Sequence, residues 1–329
     1  DVTWEKAKKA DVGVDVNLFK DKLSFTVDYF HDIRFDQLVR KGSVPGMIGI
    51  GFSPTNVART SNQGFDGQIN YRGSIRQVNF NTSLVFQYFK NKVLFKDEAQ
   101  PAYPWLRETG LPIDQPFGYT FIGYYTPEDV QKIQANTKDK PATPLSEYPI
   151  QAGDLKYKDI NGDGVIDNND QGPIGKPNLA NTVLGLTLGA SYKGFSINLL
   201  FQGSFGYSFS VVGTGIETFQ SQFQPIHQQR WTPENAASAQ FPRLTSNPTT
   251  VNSARTYMSD FWLIDARYVR LKTVDVGYQL PSRWLPGRLN NGRLYLSAYN
   301  LLTWTNYDKY QQDPEVASNS AGDAYINQR

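Results

Sequence analysis

Apolar residues recur at every second position of this chain, in segment after segment. Val12, Val14, Val16 and Leu18 alternate with Gly13, Asp15 and Asn17, and Leu23, Phe25, Val27 and Tyr29 alternate with Ser24, Thr26 and Asp28. Phe65, Ile69 and Tyr71 oppose Asp66, Gln68 and Asn70, and Val78, Phe80, Thr82, Leu84, Phe86 and Tyr88 oppose Asn79, Asn81, Ser83 and Gln87. The pattern returns in Leu184–Tyr192, in Phe195–Phe201, in a strand running from near Ala266 to Tyr278, and in Leu294–Ala298. A period of two places successive side chains on opposite faces of a strand. The chain therefore encodes about eight strands, each apolar on one face only.

Many of these segments approach the roughly 9–11 residues with which a tilted strand crosses a bilayer, whereas soluble strands average nearer 5–6. No apolar run approaches the roughly 18 residues of a helical span, which excludes a helical membrane protein and leaves a membrane β-barrel open, because barrel strands are only half apolar. Composition closes other routes. The 33 Lys and Arg stand against 31 Asp and Glu, a net charge of +2 with the basic residues scattered. No nucleic-acid partner is implied. With no Cys there is no disulfide framework, thiol catalysis or thiolate metal site. Alternation alone does not say what the apolar faces touch, and a soluble β-sandwich or propeller shows the same pattern.

The connections discriminate. Lys20–Lys22, Arg72–Gln77, Lys193–Gly194 and Pro281–Gly292 are short, whereas 31–63, 90–181 and 203–260 are long, and the two kinds alternate. Outer-membrane barrels have this asymmetry, with short periplasmic turns and long outside loops; a sandwich has no reason to keep it. Tyr29, Phe30, Tyr88, Phe89, Tyr192, Phe195, Tyr278 and Trp284 stand near strand ends, as interfacial aromatic girdles do. The long connections are rich in Pro, Gly, Asn and aromatics, a composition for folded surface loops. Within them, 127–138 reads as a short helix with Thr126 as N-cap and Glu128 and Asp129 in its first turn.

One motif is chemically specific. Asp159, Asn161, Asp163, Asp167 and Asp170 supply side-chain oxygens at positions 1, 3, 5, 9 and 12 of a loop with Gly164 at position 6. The Val165 carbonyl falls at position 7. Ca²⁺ takes 6–8 hard oxygen ligands, and the glycine permits the sharp turn that points them inward. Asp170 stands where an EF-hand has Glu, a variant resembling dockerin-type loops. No amphipathic helix flanks the loop, so a structural Ca²⁺ stiffening an outside loop is expected rather than a signalling pair. An Asx/Gly-rich turn without metal is the alternative.

Other signals are weak. His31 and His227 are too few and too far apart for a triad or metal site and read as surface or interface residues. Gly49-Ile50-Gly51 and Gly213-Thr214-Gly215 lack the rest of a phosphate loop. Asn81-Thr82-Ser83 sits inside a strand and carries no weight as a glycosylation site. Trp105, Trp231 and Trp262 could stack on sugar rings or simply pack the loops. No carboxylate pair stands out for glycoside hydrolysis.

Stretches spread over nearly the whole chain resemble the SusC/RagA family of TonB-dependent outer-membrane transporters. They include Trp4-Glu5 with Gly13-Val14-Asp15, Arg59 to Asp66 (Asp66 where the family has Glu), Gly153 to Asp170 followed by Ile174 to Pro177, Arg230 to Asn235, Phe241 to Leu244, Phe261 to Tyr278, and Asn300 to Trp304 with Asp313-Pro314-Glu315. The resemblance implies an antiparallel transmembrane β-barrel segment, residues 1–329 being roughly the C-terminal third of a transporter with a 22-stranded barrel. Both ends, Asp1 and the polar 321–329, read as cuts through a longer chain. The resemblance further implies uptake of oligosaccharides or peptides across the bacterial outer membrane. TonB would drive the uptake, a SusD-like surface lipoprotein would close over loops 90–181 and 203–260, lipid would surround the barrel, and no reaction would be catalysed. Two rivals remain: a soluble calcium-stabilised carbohydrate-binding β-protein and a secreted β-fold glycosidase. A continuous apolar belt about 25 Å tall would separate the first reading from both.

Overall fold

The structure, a computed structural model, describes residues 2–42, 53–146, 148–213, 216, 219, 222–246, 251–287, 289, 291–310 and 313–315. Eight long strands form one sheet: β1 (Lys6–Leu18), β2 (Leu23–Val39), β3 (Thr55–Ile75), β4 (Val78–Phe95), β5 (Thr182–Tyr192), β6 (Phe195–Phe205), β7 (Tyr268–Gln279) and β8 (Arg293–Thr305). Their spatial order is their chain order, and every neighbouring pair is antiparallel. Such a meander puts all odd connections at one end and all even ones at the other. The end after β1, β3, β5 and β7 carries the shorter connections, two of them two residues long (Arg76-Gln77 and Lys193-Gly194), the longest being 280–292 with a 3-10 turn at Ser282–Trp284. Lys193 and Gly194 both adopt positive φ (44° and 91°), the conformation that lets a two-residue loop follow the twist of its strands. Among the described residues, β1 and β8 are paired on one side only.

The strands run further than hydrophobic alternation indicates. β2, β3 and β4 are 17, 21 and 18 residues long, so the connections expected at 31–63 and 90–181 shrink to 40–54 and 96–181. The extra length is carried by polar pairs such as Asp32↔Asn62 and Gln63↔Lys90, where the backbone ladder continues after the apolar face has stopped. An extra residue enters β2 between Arg34 and Gln37, where Asp36 takes φ 56°.

Register fixes the faces, because directly paired residues share one. Val14↔Val27↔Gly67↔Phe86↔Leu184↔Gly203 and Val16↔Phe25↔Ile69↔Leu84↔Leu186↔Phe201↔Leu271↔Leu302 run across the sheet without a charge. The apolar parities of all eight strands thus join in one continuous belt. Its side chains are open to the surroundings, with Val12, Phe65, Phe195 and Leu296 all about half exposed or more. On β4, Val78 pairs with Tyr192 and, ten residues on, Tyr88 pairs with Phe65. That separation is about 34 Å along the strand and about 26 Å in height at a 40° tilt. Aromatics mark both limits. Tyr29 lies 5.0 Å from Phe65 at one, and Phe195 lies 4.4 Å from Tyr278, itself 6.2 Å from Trp284, at the other. Phe30 and Phe89 depart from the girdle expected of them. They flank Gly64 on the opposite face, where a Cβ would come within 2.8 Å of Phe30 Cζ. Adjacent aromatics in a strand cannot share a face, which the bare proximity to a strand end conceals.

The other face is polar and concave. Thr26, Asp28, Asp66, Gln68, Gln87 and Gln202, together with Val85, Val183 and Leu200, line a trough of about 630 Å³ that spans β2 to β6. No helix among the described residues is long and apolar enough to cross a membrane.

Candidate functional site

The close-packed core lies beyond the sheet, in the long connections. The described residues of 96–181 and 206–267 and the turn Tyr307–Tyr310 fold together around Tyr119, Leu155, Tyr157, Ile166, Phe241 and Trp262, all nearly inaccessible to solvent. Small devices give this body its shape. The helix expected near 127–138 spans Pro127–Gln134. Thr126 Oγ1 accepts from the Asp129 amide and Asp129 Oδ2 from the Thr126 amide, both at 3.1 Å, a reciprocal capping box. Burial pushes the Asp129 carboxyl up, but the Thr126 amide and the Lys156 ammonium 3.0 Å away outweigh it and hold the group below the ordinary carboxylate range.

A buried clamp joins the two long connections. Asp154 Oδ1 lies 2.6 Å from Arg243 Nε and accepts from Asn252 Nδ2 at 2.8 Å, and its Oδ2 accepts from the Gln151 amide at 2.8 Å. Asn252 Oδ1 in turn accepts from the Leu155 amide at 2.8 Å, and Tyr157 donates its hydroxyl to the Val251 carbonyl at 2.7 Å. Burial drives the Tyr157 phenol far above its usual range and pushes that of Tyr124 up to about 12, so both remain donors. The segments around Asp154 and Arg243 are part of the resemblance in sequence, but nothing in either stretch shows that they meet across 89 residues. A second clamp closes from the far end: Arg270, on the concave face of β7, reaches Asp313 at 2.9 Å and Glu315 at 3.2 Å, and Glu315 also holds Lys272.

Residues 159–170 form a self-contained loop on this body. The Asp159 carboxylate accepts from the amides of Gly162 (2.6 Å) and Gly164 (2.8 Å), and Asn161 and Asp163 each accept from the amide two residues on, at 3.1 and 2.8 Å. Gly162 and Gly164 take φ 77° and 84°, which the tight winding requires. Asp167 accepts from Asn169 at 2.7 Å, while Asp170, fully buried, accepts from Ile160 (2.7 Å), Asp167 (3.0 Å) and Asn161 (3.3 Å). Ile166 is buried in the loop core and anchors the winding. Among the described residues no three acidic or imidazole groups stand together as a ready-made metal cluster. Four carboxylates, an amide oxygen and the Val165 carbonyl nevertheless suit a hard cation in kind and order. None of the four carboxylates is in an ion pair among the described residues. Trp105, stacked on Tyr103 at 4.6 Å, donates its indole N–H to the Asn169 carbonyl at 2.8 Å.

His227 is not a surface residue. It is buried in the loop core, where Nδ1 accepts from the Gln224 amide at 2.8 Å and Nε2 faces the Ile216 carbonyl at 2.9 Å, which fixes the proton on Nε2. Two satisfied ring nitrogens make it a packing residue, and one isolated His carries no sequence signal of that. His31 faces Gln63 at 3.1 Å. Trp262 is buried packing, and Trp231 lies over Gly153, where it fills the space of a Cβ. Gly49-Ile50-Gly51 and 321–329 lie outside the described residues, as do Thr214 and Gly215 of the second glycine pair.

A family model described as TonB dependent receptor-like, beta-barrel matches residues 1–301. The chain belongs to this family. TonB-dependent receptor P3 of Formosa agariphila is 30% identical over 334 residues, covering 95% of this chain and 31% of that protein. TonB-dependent receptor P26 of the same organism is 26% identical, covering 93% and 31%. The chain spans about a third of the length of the curated relatives it matches. Among solved structures, the RagAB peptide transporter superposes with a TM-score of 0.68 at 21% identity over 97% of this chain and 33% of that one. The RagAB peptide importer in its open-open state gives 0.67 at 21% identity, covering 97% and 33%. These share the fold. The sheet is therefore part of a TonB-dependent receptor barrel of the bacterial outer membrane, and the belt is its lipid face. The family is one of receptors and transporters, and neither soluble rival accounts for a charge-free belt open along eight strands.

Proposed function

We propose that this TonB-dependent receptor segment forms one wall and much of the outer vestibule of an importer for oligosaccharides or peptides. The observation that carries the reading is the two-sidedness of the sheet: an unbroken apolar belt on one face, and on the other a concave trough bearing hydroxyls, amides and carboxylates. Lipid holds the first, and the second offers a hydrated path lined by hydroxyls, amides and carboxylates. The body built from 96–181 and 206–267 selects the cargo and meets a SusD-like lipoprotein that closes over it. TonB supplies the work through parts of the receptor outside this chain.

In the same reading, Asp159, Asn161, Asp163, Val165, Asp167 and Asp170 hold a structural Ca²⁺. The ion offsets the mutual repulsion of four carboxylates, and the loop's own amides set the carboxylate orientations beforehand. Extracellular calcium modules bind at roughly 10⁻⁴–10⁻³ M. Calorimetry on the intact receptor tests this, and silence at millimolar Ca²⁺ removes the metal without touching the transport reading. For transport, receptor-deleted cells are complemented with the intact gene or with one lacking residues 96–181, and uptake of labelled oligosaccharide and peptide mixtures is followed. Loss of one class of cargo on deletion of the loop, with the barrel still in the outer membrane, is expected. Uptake of both classes untouched by deletion of the whole receptor refutes the proposal.

A further inference from the structure

We propose that the belt-side face of β1–β4, just beyond the outer aromatic limit, binds the phosphorylated headgroup of an outer-leaflet lipid. The belt ends on β4 at Tyr88, and the next two residues of the same parity are Lys90 and Lys92. They lie two and four residues past the aromatic, about 5 and 10 Å higher at a 40° tilt. On β1 the same face carries Lys8 and Lys6 beyond Val12, and on β3 it carries Arg59 beyond Phe65.

All these positions lie toward the end of the sheet where the long connections sit, which is the outside in the orientation proposed above. Between Lys6 and Val12 on β1, and between Tyr88 and Leu94 on β4, no Asp or Glu has this parity. Asp36, at the extra residue in β2, pairs with Lys6 at 2.9 Å. Lys8, Arg59, Lys90 and Lys92 are left without an acid in ion-pair range among the described residues, and all four are exposed. Lys8 lies over the Phe35 ring at 6.0 Å. The other polar same-face positions are Gln63 and Ser61, which can donate to phosphate oxygens, and His31, and the cations are interleaved with Ala10, Ile33 and Phe35.

The charge is local. On this face β6, β7 and β8 reach no further than the belt itself, with Phe205, Val269 and Trp304 level with or inside Tyr88, so the cations beyond it belong to β1, β3 and β4. A solvated protein surface intersperses both signs of charge, so four unpaired cations above a hydrocarbon belt are not generic surface. Two features commit the occupant. The patch is continuous with a face whose lower part touches acyl chains, so whatever sits on it also lies against the membrane. Its charge complements a phosphate, which long basic stems reach by extending along the surface.

The test uses the intact receptor in an uncharged detergent, with diphosphoryl lipid A and the same lipid stripped of phosphate as probes. The wild type is expected to bind the phosphorylated form at least tenfold more tightly. Lys8→Gln, Arg59→Gln, Lys90→Gln and Lys92→Gln together should abolish that preference, while Lys20→Gln with Lys22→Gln, at the tight-turn end, should leave it intact. Each charge removed is expected to weaken binding about fivefold. Should the fourfold variant lose the heat-resistant mobility of a folded barrel, Lys90→Gln with Lys92→Gln decides, with at least a tenfold loss expected. Equal binding of the two lipids by the wild type overturns the proposal, and so does an undiminished preference in a folded variant. The readout involves no uptake, so it stands or falls separately from transport.

Discussion

The Asp154–Arg243 clamp offers the sharpest quantitative test of how the loop body holds together. Asp154 is 2% exposed and Arg243 18%, with 2.6 Å between Oδ1 and Nε. Arg243→Ala removes that contact and the Nη2 donor at 3.3 Å from Oδ2, leaving a buried carboxylate supported only by Asn252 and the Gln151 amide. Stranding a buried charge in this way costs about 3–5 kcal/mol. The penalty should fall on local opening of the loop body, because the clamp touches no sheet strand. At the lower bound, the amides of Leu155 and Tyr157 should exchange with solvent about 150-fold faster. Strand amides such as those of Leu186 and Leu199 should stay as they were. Replacing both partners by apolar residues, Asp154→Leu with Arg243→Met, should recover most of the loss, because neither charge is then stranded. Hydrogen exchange read by mass spectrometry on the intact receptor provides the assay. A change below threefold in Arg243→Ala, or a double variant worse than the single, would refute the reasoning.

Three further outcomes are expected. Leu186→Arg places a charge near the middle of the belt and should cost about 2–4 kcal/mol in urea unfolding from lipid vesicles, whereas Thr187→Arg, one residue on and facing the trough, should cost far less. Asp129 has a folded pKa below its unfolded value of about 3.9, so its contribution is present above that value and disappears as pH falls through the folded pKa. Exchange of the 127–134 amides should accelerate below about pH 4 in the wild type, and Asp129→Ala should lose about 1 kcal/mol of helix stability and that acid step together. Calcium should slow proteolysis within 159–170 in the wild type and have no effect in Asp159→Ala with Asp163→Ala, as followed by limited digestion with and without chelator.

The sheet was readable in the sequence because a period of two and a rhythm of short and long connections are local signals. Leu184 to Tyr192 states its own face and its own turn. Where strands leave the membrane the signal fades: Asp32, Asn62 and Asn91 continue the ladder, but their polarity hides it. The loop body was legible only in its local devices. Thr126 with Asp129, and the oxygen spacing of 159–170, announce themselves within a dozen residues. Asp154 and Arg243 lie 89 residues apart, and His227 meets the Ile216 carbonyl through a fold that no short pattern encodes. Phe30 and Phe89 show the same limit on a smaller scale, because nearness to a strand end does not settle parity.

Spin labels placed singly from Leu184 to Leu188 in the intact receptor, embedded in bilayers, probe the belt most directly. Collision with oxygen dissolved in lipid should be high at positions 184, 186 and 188 and low at 185 and 187, with a water-soluble nickel chelate giving the opposite phase. Equal accessibility at all five positions, or chelate contact at the leucines, would mean that something other than acyl chains covers those side chains.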